Sequence, residues 1–433
     1  MTHLRVLISG ASIAGPALAF WLKRIGTACS VTIVERAPSL RTAGQGIDIK
    51  DAARDVVKQM GIFERIRERS SHEQGISFVD SSGKSYAQLG IGDTLEKGDG
   101  IVSDVEILRG ELAKILYNVT KDDTTYIFGD TIKALEETEK EIKVRFSNGT
   151  PTTSFDLVVA ADGVGSRLRK MVFGDSTHVK SLNTYASYFS IPLANTDSSW
   201  SRLHWLTGGR VMWLRPDNVG RTRAYLMLRG SGLSDERIVR LEKASREGVA
   251  AQKALFAEFF QDAGWERSRI IEAMHASDDY YMQHVALIKM DGWSKGRVTV
   301  VGDAGYCPSP FSGAGTTFAF LGAYLLAGEI SRQPNNLPAA MQSYECLFRP
   351  YVEGTQKLPP YNAWIFLPQS SLGVRALTTF LWTISTFRAS PLGTLLGKLL
   401  EYIPFGGVED LKLPEYEAFK QQASKQQQKV KAL

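Results

Sequence analysis

The chain has 433 residues, 43% of them hydrophobic and 22% charged, which is the composition of an ordinary globular protein large enough for two or three packed units. Its 51 Lys and Arg against 46 Asp and Glu leave a net charge of +5, and no dense basic run stands out except the Lys- and Gln-rich tail after Tyr416, so nucleic acid is not an expected partner. Cys29, Cys307 and Cys346 are too few and too scattered for a disulfide framework or a metal cage, which favours a reducing, cytoplasmic setting and no bound metal.

Met1 to Arg5 runs straight into the first apolar strand, Leu4 to Ile8, so a signal peptide is not expected. A helical pattern follows from about Ala14 to Ile25, with Ala17, Leu18, Trp21, Leu22 and Ile25 on one face. Between strand and helix lie Gly10, Ala11, Ser12, Ile13, Ala14 and Gly15. Gly10 permits a tight turn and Gly15 close helix-strand packing, and the free N–H groups of a helix start suit a pyrophosphate. Ser12 stands where the usual fingerprint has its middle glycine. A second strand, Val31 to Val34, ends at Glu35, placed to hydrogen-bond an adenosine ribose, with Arg36 beside it. The alternative for the glycine turn alone is a turn that binds nothing.

A loop containing Gly44, Gly46 and Asp48 comes next, then "AARDVVKQMGIFERIRE", which reads as one half-buried helix. From Gly75 to about Gly100 the pattern is strand-like, with "SSGKSY" as a hairpin turn. Helical spacing returns in "LRGELAKILY" at Leu108 to Tyr117, and "EIKVRFSNGT" alternates apolar and charged residues before an Asn148-Gly149 turn, a hairpin signature. A buried strand then ends at Asp162-Gly163. Ser181 to Tyr281 reads as strand-rich, with one helix near Gln252 to Phe260. At Arg297 a further strand, "RVTVVGD", ends at Asp303, and Gly313 and Gly315 open a long helix. Asp303 is suited to a second ribose or polyol, and the positive end of that helix to negative charge on a flavin ring. The apolar run Ala376 to Phe387 is about half of the ~20 residues a bilayer span requires. It reads as a buried or bridging helix, with a weak membrane-surface contact as the alternative, since Trp364, Ile365, Phe366, Leu395, Leu396, Leu399 and Leu400 flank it.

The expected fold is α/β: a Rossmann-like FAD-binding domain interrupted by a sheet-containing substrate domain, with a C-terminal helical segment. The division is 1–72, 103–180 and 285–360 for the FAD-binding parts, 73–102 and 181–284 for the substrate parts, and 361–433 for the helical region.

In this order, Gly10 to Gly15, then Asp162-Gly163 with Ser166 and Arg169, then Gly302-Asp303 with Pro310, Gly313 and Gly315, the chain resembles the class A flavoprotein monooxygenases over residues 4–350. The resemblance implies FAD, with NADPH or NADH as co-substrate, and Arg109, Asp162, Gly163, Gly46, Asp48 and Ala314 among the residues near the cofactor. Arg109 otherwise reads as a surface helical arginine, Asp162 as a strand-end turn and Asp48 as a surface strand acid. Gly305-Tyr306 replaces the Ala-His found after Gly-Asp in many members, and Ala314 replaces their Gln. The strings "GIDIK", "SRLHWL" and "GRVMWLRP" are similar to the tetracycline-inactivating subgroup. That likeness implies a substrate pocket lined by Phe189, Arg202, Trp213, Tyr225 and Pro310, although each aromatic residue equally suits a sheet core.

The activity so implied is transfer of one oxygen atom from O2, through a C4a-hydroperoxide of the flavin, to a small aromatic or polycyclic organic substrate. Hydroxylation, epoxidation and Baeyer-Villiger oxidation remain open, and no acid-base residue is assigned. A flavin-dependent reductase or dehydrogenase without oxygen transfer, a halogenase lacking the Trp-x-Trp-x-Ile-Pro string, and a non-enzymatic flavin-binding regulator are the alternatives. The chain is expected to act as a monomer or homodimer.

Overall fold

The computed structural model describes residues 3–41, 44–50, 52–71, 73–90, 105–217, 219–232, 234–308, 310–357, 365–387 and 411–420. Its centre is a six-stranded sheet in the order 294–295, 298–300, 157–160, 4–9, 29–35 and 125–128. The opening strand, Leu4–Ser9, runs parallel to both neighbours, with Val6 opposite Leu157 on one side and Val31 on the other. Its apolar run is nearly continuous because a central parallel strand is covered on both faces. The first helix, Ala14–Leu22, is buried along its whole length and packs against the long helix Gly315–Arg332, which explains their shared Ala and Gly content. A three-stranded antiparallel sheet, 132–137, 142–146 and 153–155, carries the expected Asn148-Gly149 turn between its last two strands.

The second large sheet has seven strands in the order 281–290, 177–192, 221–229, 210–216, 200–206, 75–79 and 85–90. Segments on either side of the nucleotide-type core thus join one sheet, and the turn at Ser81 to Lys84 is the expected hairpin. The two-residue side-chain period gives the sheet two unlike faces. Tyr185, Phe189, Leu206, Met212, Leu214 and Leu226 face three helices, whereas Tyr188, Leu203, Trp205, Val211 and Tyr225 line the other side.

Several elements differ from the sequence reading. The single helix expected after Asp51 is two, Ala52–Gln59 and Phe63–Glu68, broken where Gly61 adopts φ +70°. The stretch read as strand-rich holds three helices, Glu236–Glu247, Val249–Phe259 and Arg267–Ala276; only the second was expected. They form there because the sheet's apolar face needs a cover, and "ERIVRLEKASRE" supplies Ile238, Leu241 and Ala244 at helical spacing. The apolar C-terminal helix spans Ser371–Phe387 and lies over the edge strand Ser85–Gly90, where the Ser385 hydroxyl accepts the Gln88 N–H. It is not a buried helix: only Leu381 and Ile384 are enclosed, and Leu372 and Trp382 are 76% and 47% exposed. Trp364 and Leu395 to Leu400 fall outside the described residues. Among the described residues no helix is long and apolar enough to cross a membrane.

Candidate active site

Three chain segments converge at the carboxyl ends of the central strands. Gly10, at φ +114°, turns so tightly that a Cβ on it would lie 2.4 Å from the Ala161 carbonyl oxygen, and one on Gly15 would lie 2.0 Å from the Gly10 oxygen. Only glycine permits this approach of turn, helix and neighbouring strand end. Gly302 abuts Ala14, and Gly315 abuts the Asp303 carboxylate. Arg169 fastens the group: fully buried, it donates from Nη1 to the Ala304 carbonyl and from Nη2 to the Val164 carbonyl, each at 2.7 Å. The strand ends near 162 and 303 are thereby tied together.

Two helices open into this crevice without caps. Neither Ala14–Leu22, capped by Ile13, nor Gly315–Arg332, capped by Ala314, has a side-chain cap hydrogen bond or an acidic residue in its first turn. Their free N–H groups and positive dipole ends suit anionic groups. Ser12, at the turn, is partly exposed.

Glu35 is 6% exposed, and its carboxylate accepts the Ala11 N–H at 3.1 Å and the Ala37 N–H at 3.0 Å. It braces the glycine turn while retaining lone pairs for a further donor. Arg36, next to it, is exposed. Asp162 accepts the Ser166 hydroxyl at 2.5 Å and the Arg167 N–H at 3.0 Å, so it organises the start of helix Arg167–Phe173; burial raises its carboxyl above the ordinary range despite those bonds. Gly163 has open space around it. Burial also raises Asp303, opposed by the Arg109 charge. The Arg109 guanidinium has no hydrogen-bond partner among the described residues and faces Asp303 and Tyr281, which leaves its donors for a ligand.

The ribbon of strands Gly46–Asp48 and Glu106–Leu108 forms the crevice wall nearest the second sheet. The Tyr225 hydroxyl accepts the Gly46 N–H at 2.9 Å, and the Tyr281 hydroxyl meets Gln45 Oε1. Asp48 pairs with Lys50 at 3.7 Å, and both approach Gly313, whose φ is +65°. Pro310 begins a short 3-10 turn, Pro310–Ser312, and Phe311 from it packs on the Phe366 ring at 5.9 Å.

The residues expected to contact substrate separate by sheet face. Trp213 and Tyr225 lie on the crevice side, their rings 5.8 Å apart, with Trp213 also 6.5 Å from Phe366. Phe189 and Arg202 are not brought to them. Phe189 packs under the helices beside Tyr280, and Arg202 is locked by Asp197 at 2.6 Å and Glu266 at 2.7 Å. Strand alternation accounts for this, because an even step along one strand keeps a face and an odd step changes it. Sequence reasoning missed Gln45, Lys50, Tyr281, Phe311 and Phe366, and no local pattern signalled them.

This crevice, two helix starts without side-chain caps, each preceded by a glycine turn and flanked by Glu35, Arg109 and Asp303, fits a long dinucleotide. The family described as "FAD binding domain" matches residues 3–335. The chain belongs to the class A flavin monooxygenase family. FAD-dependent monooxygenase asL4 of Sarocladium schorii is 33% identical over 440 residues, covering 96% of this chain and 99% of that protein. The tetracycline destructase Tet(51) superposes with a TM-score of 0.76 at 29% identity, covering 95% of this chain and 100% of the other. Tet(55) gives 0.74 at 32% identity, with 95% and 98% covered. The flavin monooxygenase fold thus accounts for the Rossmann-like core and for the sheet inserted beside it.

Proposed function

We propose that the protein holds FAD in the crevice between Gly10 and Gly315, takes electrons from NADPH or NADH, and uses O2 to oxygenate a small aromatic or polycyclic organic compound. The observation that carries this reading is the convergence of three motifs, separated by more than a hundred residues each, on one crevice whose far wall is the aromatic face around Trp213 and Tyr225. Likeness to tetracycline destructases supports a polycyclic substrate. Hydroxylation, epoxidation or Baeyer-Villiger oxidation all suit this arrangement.

FAD, when bound, supplies the acceptance of hydride and the activation of O2. The protein's own groups hold and orient. In this reading Glu35 accepts a ribose hydroxyl, the N–H groups at Ala14 and Gly15 receive the pyrophosphate, and Arg109 and Asp303 flank the middle of the cofactor. The helix start at Gly315 stabilises negative charge on the ring. Trp213, Phe311 and Phe366 present an apolar wall that orients a flat substrate and keeps water from the reacting atoms.

The purified protein should be yellow with non-covalent FAD, and a panel of aromatic and polycyclic compounds should include one that accelerates NAD(P)H oxidation. Oxygen uptake is measured together with product mass under labelled O2. A product without label assigns the protein to the reductase alternative. A folded, colourless protein that cannot be reconstituted removes the reading altogether.

A further inference from the structure

Behind the ribbon Gly46–Asp48 lies a charged cluster that the proposed reaction does not use. Asp48 stands directly opposite Glu106 in the antiparallel ribbon, so Gly46, Asp48 and Glu106 share a face. Glu106 Oε1 occupies the space a Gly46 side chain would need, since a Cβ there would lie 1.8 Å from it. From the neighbouring sheet the Arg215 guanidinium reaches both buried carboxyl groups. Its Nη2 donates to Glu106 Oε2 and to Glu73 Oε2, the latter at 2.8 Å, and its Nε donates to Glu73 Oε2 at 3.1 Å.

Glu73 and Glu106 are only 3% and 5% exposed, and Glu73 Oε1 has no hydrogen-bond partner among the described residues. One guanidinium thus serves two enclosed carboxyl groups. With both ionised, the cluster would carry a net negative charge in a dry site beside Asp48, and like charges so placed favour retention of one proton. Tyr225, from the strand beside Arg215, also faces Glu106, and Lys50 pairs with Asp48. Burial, opposed by Arg215 and reinforced by Glu73 and Asp48, pushes the Glu106 carboxyl up to about 8.

We propose that Glu106 is a positioning residue that carries a proton when the protein binds its cofactor, and that losing this proton puts an uncompensated negative charge behind the ribbon and weakens FAD binding. The inference rests on the reading that this ribbon borders FAD. Proton loss leaves Glu73, Glu106 and Asp48 facing Arg215 and Lys50. The excess charge then opposes the phosphates and electron-rich ring of the cofactor and loosens the Gly46 anchor that Tyr225 holds.

The test titrates apoprotein with FAD across slightly acid to alkaline pH, following quenching of flavin fluorescence, with circular dichroism as a check on folding. Wild-type affinity should be constant below the Glu106 midpoint and fall by up to about tenfold per pH unit above it. Glu106→Gln keeps the shape and an acceptor for Arg215, so its affinity should match the low-pH wild type and stay flat. Glu73→Gln leaves Arg215 to neutralise Glu106 alone and should flatten the profile as well, which keeps the test decisive if the first variant does not fold. Flat wild-type binding, or alkaline weakening that persists in the folded variants, overturns the inference while leaving the FAD site intact. A wild type that binds no FAD at any pH overturns the site reading and this inference together.

Discussion

The Tyr225 hydroxyl accepts the backbone N–H of Gly46 at 2.9 Å, so a side chain at the centre of the second sheet fixes the wall of the nucleotide crevice. Tyr188 supports that contact from the next strand: its ring meets Tyr225 edge-on and stacks on Tyr281, with centroids 4.9 Å away in both cases. The aromatic face is therefore a brace for the crevice wall, beside the role in substrate binding proposed for it.

Tyr225→Phe tests that brace. The substitution keeps the ring and leaves the partly buried Gly46 N–H without its acceptor, which costs about 1–3 kcal/mol. FAD affinity should fall while the circular dichroism spectrum is unchanged. Equal FAD dissociation constants in the two proteins would show that the ribbon is held by other contacts.

A second substitution probes the helix start proposed to face the ring. Gly313→Asp brings a carboxylate near Asp48 and Lys50, and Asp is among the residues that tolerate the left-handed backbone found there. Measurable FAD binding should survive, because the adenine half lies at the other end of the cofactor, but reduction by NAD(P)H should slow and the yield of oxygenated product should drop. Gly313→Asn carries the same shape without the charge and should reduce faster than Gly313→Asp. Rapid-mixing absorbance decides this: equal reduction rates would separate the loop from the flavin.

In the proposed function Phe366 belongs to the substrate wall. Its ring contacts Trp205, Trp213 and Phe311, and its carbonyl accepts the Trp205 indole N–H at 2.8 Å. Phe366→Ala should raise KM for the organic substrate roughly tenfold or more, as expected for removing an aromatic contact that substrate would cover, worth about 1.5–3 kcal/mol. FAD affinity should be unchanged. Steady-state kinetics and FAD titration separate these effects, and a parallel loss of FAD would place the ring in the cofactor site instead.

Asp130 is one of the carboxylates that contribute to acid stability. Burial works against its charge, but hydrogen bonds from Thr131, Ser147, Asn148 and Thr150 outweigh it and hold the carboxyl down at about 2, against an ordinary 3.8. A folded-state value below the unfolded one means the native protein binds fewer protons, so this contribution is complete above pH 3.8 and is lost as pH falls towards 2. Asp130→Ala should therefore lower stability near neutral pH by about 1.5–3 kcal/mol, the worth of hydrogen bonds to a charged acceptor. Urea unfolding at neutral and acid pH should show the gap to wild type narrowing in acid; a gap that widens contradicts the assignment.

The parallel core was legible because its strands are short apolar runs ending in glycine turns, a local signal. Gly10 and Gly15 could be picked out for the same reason, since steric need at a turn is written in neighbouring residues. That Arg202 and Phe189 lie on the other sheet face from Trp213 could not be read, for the opposite reason. Which face of a strand meets the crevice depends on which neighbour it pairs with, as when Trp213 sits opposite Tyr225 across strands. The Glu73–Arg215–Glu106 cluster joins residues more than a hundred positions apart and carries no periodic signature. Helices Glu236–Glu247 and Arg267–Ala276 were hidden by the strand-forming sequence around them, although their own spacing is helical.

The Arg169 tie between Val164 and Ala304 bears on how the molecule is made. The central strands come from residues 4–9, 157–160 and 298–300, with five of the second sheet's seven strands threaded between the last two and the other two, 75–79 and 85–90, between the first two. A nascent chain emerging from the ribosome can form the first turn early, but the Ala304 carbonyl that Arg169 reaches is absent until some three hundred residues have been synthesised. Such long-range pairing is slow and leaves apolar strand edges uncovered in the meantime. Cofactor capture is consequently a late event in biogenesis, and chains cut short before residue 304 should occupy aggregates or chaperones rather than a flavin-loaded pool.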